Sequence, residues 1–332
     1  MKHARTIAVL LPVVSFLSGC MPTSVTFNFG VDDGKLNAAK VMTEPGASVN
    51  VAVIDVRGLI VDAPRPGLLT SQSSPVDDLV SRLNAAESDP SIKAVILRID
   101  SPGGTVSASD TMYREVRRFA EQSHKPVVAS LGEVAASGGY YLALAADHIV
   151  AQPTSITASI GVIMPTMNFS EGMSRIGITS RSIKSGANKD LANPFEPMRE
   201  SQYAILQAMI DEFYHRFRSL VEQRRPDLRA NVDELTDGRV VTGANAVTVG
   251  LADSEGNLRD AFERAKQLAG VRHANLIKFH PKNSPTPRSA YAATPRMNPD
   301  APAGSVQTGL VNIDLGSLPL DEFGAAYYLW RP

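Results

Sequence analysis

The sequence predicts an α/β protein with mostly parallel strand pairing. Two observations predict it. Strand-like runs alternate with helical spacing through the middle of the chain: Val49–Val56, then Val76, Leu79, Val80 and Leu83, then Ala94–Ile99, a helix from about Ser107 to Glu121, and Pro126–Leu131. Small-residue turns, Asp100-Ser101-Pro102-Gly103-Gly104 and Ala135-Ala136-Ser137-Gly138-Gly139, follow two of those strands, where ligand sites of α/β sheets tend to lie.

The elements follow in order. Lys2, His3 and Arg5, then apolar Ile7–Leu17, then Leu17-Ser18-Gly19-Cys20 read as a targeting segment. The apolar run is short for a membrane span. Pro22 to Ala47 is polar and aperiodic, so residues 20–47 read as a tether with one short strand at Val25–Phe29. Asp62 to Pro75 is a Pro-, Gly- and Ser-rich loop. Asp89-Pro90 ends the first helix. Leu142–Ala146 continues a helix after Ser137, and His148–Ala151 is strand. Thr157–Ile163 reads as a loop entering a strand, Ser170–Ile176 as a short helix, and Ile178–Ile183 as a strand. The longest helix is expected over Met198–Gln223. Its stripe of Leu206, Met209, Ile210, Phe213, Phe217, Leu220 and Val221 suits the core or a subunit interface. Asn257–Leu268 is helical and Ala274–Phe279 is a final strand. The peptide from Pro281 to Gly304 has linker composition, and Leu310 to Trp330 turns apolar again. The domain division is therefore 1–19 signal, 20–47 tether, 48–280 catalytic unit and 281–332 linker with apolar tail.

Bulk composition narrows the function. Of 332 residues, 43% are hydrophobic and 20% charged, as in ordinary globular proteins. The net charge is −1 with no basic stretch, which argues against a nucleic-acid partner. No metal-ligand cluster or nucleotide loop is visible, so no cofactor is expected. The single cysteine, Cys20, excludes an intrachain disulfide. Leu-Ser-Gly-Cys resembles a bacterial lipobox, whose cysteine is lipidated and becomes the mature N-terminus. Met21 after it suits an outer-membrane destination if the cell has two membranes. Attached acyl chains would hold the protein at a membrane surface of the cell envelope.

Ser137 stands where a strand turns into a helix. Small neighbours leave its hydroxyl uncovered, and the helix start offers free N–H groups. A nucleophile facing a developing oxyanion needs that setting. Gly103 or Gly104 would supply one oxyanion donor and Gly138 the other. A serine also needs a base. None of the six histidines has a motif around it. A lysine can serve if burial disfavours its charged form, although lowering a lysine from about 10.4 to near 7 costs roughly 4–5 kcal/mol.

Five motifs in order resemble bacterial signal peptide peptidase A in its short single-domain form. They are Asp100–Gly104, Ala135–Tyr141, Thr157-Ala158-Ser159-Ile160-Gly161-Val162, Ser185-Gly186-Ala187-Asn188-Lys189-Asp190, and Gly238-Arg239-Val240 with Thr242-Gly243 and Gly250-Leu251-Ala252-Asp253. The resemblance runs from about Val49 to Leu268. It implies a Ser–Lys dyad peptidase on the Clp protease/crotonase-like fold of repeated β-β-α units. It further implies Ser137 as nucleophile, Lys189 as general base rather than nearby Lys184, and Ser159 as the hydroxyl orienting the lysine. Relatives assemble into rings or domes, so a homo-oligomer is implied. Typical members carry a transmembrane helix where this chain has the lipobox-like segment.

The function expected is a membrane-tethered serine endopeptidase acting on cleaved signal peptides or other apolar unfolded peptides. Leu59, Ile60 and Val162 are expected to line its groove. The alternatives are a catalytically silent assembly protein on the same fold and crotonase-type acyl-CoA chemistry. Retention of Ser137 and Lys189 argues against the first, and the secretory signal against the second. The apolar tail is expected to dock on a neighbouring subunit, the preferred site, or in the substrate groove.

Overall fold

The computed structural model describes residues 36–66, 71–282, 284–293 and 326–330. The expected signal, Cys20 and the strand at Val25–Phe29 lie outside these residues. So do most of the linker and apolar tail.

The strands are β1 (Leu36–Met42), β2 (Asn50–Arg57), β3 (Arg65–Pro66), β4 (Ser71–Gln72), β5 (Ile92–Ser101), β6 (Gly103–Thr105), β7 (Val127–Ala136), β8 (His148–Ala151), β9 (Ile156–Ala158), β10 (Val240–Thr242), β11 (Ser254–Glu255), β12 (Asn275–Pro281) and β13 (Tyr327–Leu329). The helices are α1 (Pro75–Ser88), α2 (Val106–Ser123), α3 (Gly138–Ala143), α4 (Ser170–Arg175), α5 (Glu200–Arg224), α6 (Val232–Leu235), α7 (Gly243–Val249) and α8 (Leu258–Leu268). The main sheet runs β1-β12-β2-β5-β7-β8-β11, with β9 joined to β7 and β10 to β9. The steps β12-β2, β2-β5, β5-β7, β7-β8, β8-β11 and β7-β9 are parallel, whereas β1-β12 and β9-β10 are antiparallel.

Helices cover both faces, so the central strands read as continuous apolar runs. Along β2, Ala52, Ile54 and Val56 face the large core under α1, α2, α3 and the end of α5. Val51 and Val53 face the smaller core under α8, beside Leu258 and Phe262. Helix starts follow their caps. Ser74 accepts from Asp77 N–H at 3.1 Å ahead of Pro75, and Thr105 caps α2.

Four expectations change. Leu36–Met42, read as tether, is edge strand β1 against β12. It is mostly half-buried or exposed, so its apolar pattern is weak. Around Thr157–Ile163 the order is reversed: strand β9 comes first and the loop follows. Ile178–Ile183 is not a strand and pairs with no strand among the described residues. The start of the linker is also packed. Lys278, fully buried and paired with Asp55 at 2.6 Å, donates to the carbonyls of Ala290 at 3.0 Å and Ala292 at 2.7 Å. Helix α5 meets the core reading of its stripe at its C-terminal end: Phe217, Leu220 and Val221 reach the core, while Leu206, Met209 and Ile210 are half-buried.

Candidate active site

Strand β7 changes partners along its length. Val128–Leu131 pair with β8, and Val134–Ala136 pair with β9. Thr157 Oγ1, buried, fixes the second half by donating to the Ala135 carbonyl at 2.7 Å. Ser155 Oγ donates to the Gly132 carbonyl. Ser137 follows as the cap residue of α3, at φ 52° and ψ −113°. Few non-glycine residues adopt such a backbone, and it costs about 1–3 kcal/mol unless its surroundings hold it. Here Ser137 N–H donates to the Ala158 carbonyl at 2.7 Å, and its own carbonyl accepts from Tyr141 N–H at 2.8 Å. The residue is 1% exposed, and its Oγ has no hydrogen-bond partner among the described residues. An unpaired buried hydroxyl is uncommon and calls for an explanation.

Ser159 lies beside it. Ala158 and Ser159 both have positive φ, 66° and 52°, and Ser159 N–H donates to the Arg239 carbonyl at 2.8 Å. The bond from Ser137 to Ala158 therefore brings Ser137 next to the residue preceding Ser159.

Gly103 and Gly104 begin β6. On one edge, Ile60 N–H donates to the Gly103 carbonyl at 2.8 Å, and Thr105 N–H donates to the Ile60 carbonyl at 2.9 Å. A Cβ on Gly104 would lie 1.8 Å from the Ile60 carbonyl oxygen, so only glycine fits. Gly103 needs its φ of 111°, and its N–H is taken by Ser101 Oγ at 3.1 Å. That corrects the expectation for Gly103 as an oxyanion donor. Of the pair, Gly104 turns its N–H toward the cleft. Gly138 N–H, in the first turn of α3, has no helical partner.

The described part of the tail fills the cleft. Strand β13 pairs antiparallel with β6, Tyr328 opposite Gly104. On its other edge, Tyr327 and Ile163 exchange backbone hydrogen bonds at 2.9 and 3.0 Å. Of the two docking sites expected, the groove of the chain itself holds Ala326–Trp330. Tyr328 is fully buried. Its ring stacks on Tyr141 at 5.0 Å and meets Phe217 at 4.7 Å, and its hydroxyl donates to the Phe213 carbonyl at 2.9 Å. Tyr113 packs edge-on against Tyr141 at 5.6 Å. Tyr141 is fixed in turn by donating to Asp110 at 2.8 Å, and Arg216 holds the same carboxylate at 2.8 Å. Burial works against ionisation of Asp110, but hydrogen bonds from Arg216, Tyr141 and Arg114 outweigh it and hold the carboxyl below its usual range. This aromatic pocket was not legible in the sequence. Its walls come from α2, α3 and α5, and no local motif joins them.

Lys189 does not join the cluster in the single chain. Its side chain is exposed and has no hydrogen-bond or ion-pair partner among the described residues. It lies in a turn closed by Lys189 N–H to the Gly186 carbonyl at 3.2 Å. Lys184, the competing lysine, is paired with Asp190, which also accepts from Gln202 at 2.9 Å. The Lys184 ammonium holds the Asp190 carboxyl below its usual range.

A strained, buried serine between a strand and a short helix, its hydroxyl unpaired beside a glycine amide and an extended peptide, is an arrangement suited to acyl transfer on an α/β sheet. Comparison with known proteins makes the class specific. Residues 120–272 match the model of Peptidase family S49. A candidate protease of Methanocaldococcus jannaschii is 36% identical over 214 residues, covering 64% of this chain and 68% of that protein. A candidate signal peptide peptidase of Enterococcus faecium is 30% identical over 247 residues, covering 74% and 71%. Protease 4 of Haemophilus influenzae is 34% identical over 230 residues, and the chain spans only 36% of its length. The chain belongs to peptidase family S49. It is a serine protease similar to signal peptide peptidase A, and its mixed α/β sheet agrees with the Clp protease/crotonase-like fold.

Proposed function

We propose that the protein is a Ser–Lys dyad endopeptidase that cuts apolar, unfolded peptides, cleaved signal peptides among them, at a bacterial envelope surface to which lipidated Cys20 anchors it. The observation that carries this reading is the extended peptide seated beside Ser137. The cleft accepts main chain by strand addition on both edges and takes a large apolar side chain into an aromatic pocket.

Ser137 Oγ attacks the carbonyl placed at Gly104 and Gly138, whose N–H groups stabilise the oxyanion. The Lys189 amine takes the hydroxyl proton and passes it to the leaving amine. Ser159 orients that amine. Water then hydrolyses the ester by the same path in reverse.

Because Lys189 is exposed and unpaired while Ser137 is buried and unpaired, the dyad is completed by assembly. The segment around Lys189 supports this. Met167, Phe169, Ile176, Ile178, Ile183 and Phe195 are all exposed, Ile183 completely. An apolar surface of that extent marks an interaction face. A homo-oligomer covers it and brings the lysine of one copy to a serine. The pairing of Lys184 with Asp190 supports Lys189 as the base.

The test is hydrolysis of an unfolded apolar peptide. Ser137→Ala and Lys189→Ala are each expected to lower kcat by about a thousandfold or more, with the double variant little worse, because members of a catalytic unit are not additive. Lys184→Ala should retain activity. Multiplied losses, or an inactive Lys184→Ala beside an active Lys189→Ala, would refute the dyad.

A further inference from the structure

The segment that carries Lys189 is largely exposed, yet polar bonds brace it at two levels. At its base, Ser182 Oγ donates to Glu196 Oε1 at 2.7 Å, and Asn193 Nδ2 donates to Ser182 Oγ at 3.3 Å, which draws residues 182 and 196 together. Nearer its tip the backbone makes three successive turns. Lys189 N–H donates to the Gly186 carbonyl at 3.2 Å, Leu191 N–H to Asn188 at 3.3 Å and Asn193 N–H to Asp190 at 3.1 Å.

Asp190 ties these turns to the start of α5. Its Oδ1 accepts from Gln202 Nε2 at 2.9 Å. Gln202 is buried, and its Oε1 accepts from Arg199 N–H at 3.1 Å, so one side chain joins the helix start to the carboxylate. The Arg199 guanidinium also donates to the Ala187 carbonyl. The Asp190 side chain is 11% exposed as a result, in a segment otherwise open to solvent. Residue 189 is thus held on both sides through its backbone, while its amine stays free of partners among the described residues.

The charges around the turn are arranged to the same end. A carboxylate beside an amine favours the ammonium, the form that cannot take a proton. Here Lys184 Nζ pairs with Asp190 Oδ2, and Arg199 Nη2 stands 3.9 Å from Oδ1, so two cations offset that effect. The remaining charged groups of the turn and the helix start are Arg181, Glu196 and Glu200. Glu196 faces Ser182 and Asn193, and Arg181 and Glu200 are exposed. Because Lys184 holds the Asp190 carboxyl below its usual range, that group is ionised at neutral and alkaline pH.

We infer that Asp190 is the positioning residue of the Lys189 base: clamped by Gln202, Arg199 and Lys184, it fixes the turn that presents the amine, while Lys184 offsets its charge so that the amine can lose its proton. This role rests on the dyad reading above. Asp190 touches no reacting atom and acts through Lys189.

The pH profile of kcat/KM for an added apolar peptide, measured on the full chain together with the oligomer mass, tests this. Lys184→Met keeps the aliphatic stem and removes the cation. It should reach the wild-type plateau at alkaline pH, with its acid limb moved up by about one pH unit, the effect of one uncompensated charge in partly screened surroundings. At a fixed pH on that limb it is then about tenfold slower than wild type. Asp190→Asn keeps an acceptor for Gln202 and removes the charge, so its plateau should hold and its limb should move down. The double variant should bring the limb back close to wild type. Asp190→Ala removes charge and acceptor together. At unchanged oligomer mass its plateau kcat should fall about tenfold or more with KM little altered, because the base is no longer held in place. A wild-type limb in Lys184→Met, or a limb still displaced in the double variant, would overturn the inference and leave the dyad standing. So would a full plateau or a smaller oligomer in Asp190→Ala. A fully active Lys189→Ala would instead overturn the dyad, and this inference with it.

Discussion

Replacing Tyr328 by alanine should uncover Ser137. Docked, the tail leaves Ser137 1% exposed, and Tyr328 is its deepest anchor. The ring is fully buried, stacks on Tyr141 at 5.0 Å, contacts Phe217 at 4.7 Å and donates to Phe213 at 2.9 Å. Truncating a buried aromatic side chain costs about 3–5 kcal/mol in a core. The released tail is partly solvated before docking, so the lower figure applies. About 3 kcal/mol is roughly a hundredfold shift in the docked-to-free ratio. The assay is the rate of covalent labelling of Ser137 by a small fluorophosphonate at subsaturating probe. Tyr328→Ala should label up to about a hundredfold faster than wild type, with Ser137→Ala as the unlabelled control. The main sheet does not include β13, so its release should leave the melting temperature of the fold nearly unchanged. Equal labelling rates would refute the idea that the Tyr328 pocket holds the tail over the nucleophile.

Two other expectations follow from the exposed segment and the N-terminus. Ile183→Asp, at a fully exposed position, should lower the oligomer size in solution and lower peptide hydrolysis with it; a full-sized, fully active variant would separate this face from assembly. Cys20→Ala should abolish acyl modification and shift the protein from the membrane to the soluble fraction; a wild-type chain that carries no lipid would refute the anchor.

The parts of the site that lie within one short stretch were legible in the amino-acid order. A strand, a small-residue turn and a helix start occupy Pro126–Ala146 without interruption, so the elbow at Ser137 follows from local preferences and strand order alone. The tight approach at Gly104 is similarly local, because consecutive glycines at a strand end leave room for another backbone. The α/β class was legible because buried parallel strands are apolar on both faces, as β2 shows with Val51 and Val53 on one side and Ala52 and Ile54 on the other. Edge strand β1 was not legible, since exposure on one face erases that signal.

What the tertiary structure alone decided depends on groups distant in sequence. Gly103 and Gly104 are equivalent as neighbouring glycines, but Ser101 Oγ occupies one N–H and leaves the other for a ligand. Tyr141 and Phe217 were readable only as packing residues, and their role appeared when α3 and α5 converged on one ring from the tail. An apolar C-terminus promised docking somewhere, but hydrophobicity has no direction and did not choose between a neighbour and the chain's own groove. In the single chain the segment lies in its own groove, and backbone register aligns it, with the Tyr328 carbonyl opposite Gly104. The sequence by itself thus determined the chemistry carried by contiguous residues, whereas contacts closed across the chain decided which amide is free and which peptide lies against Ser137.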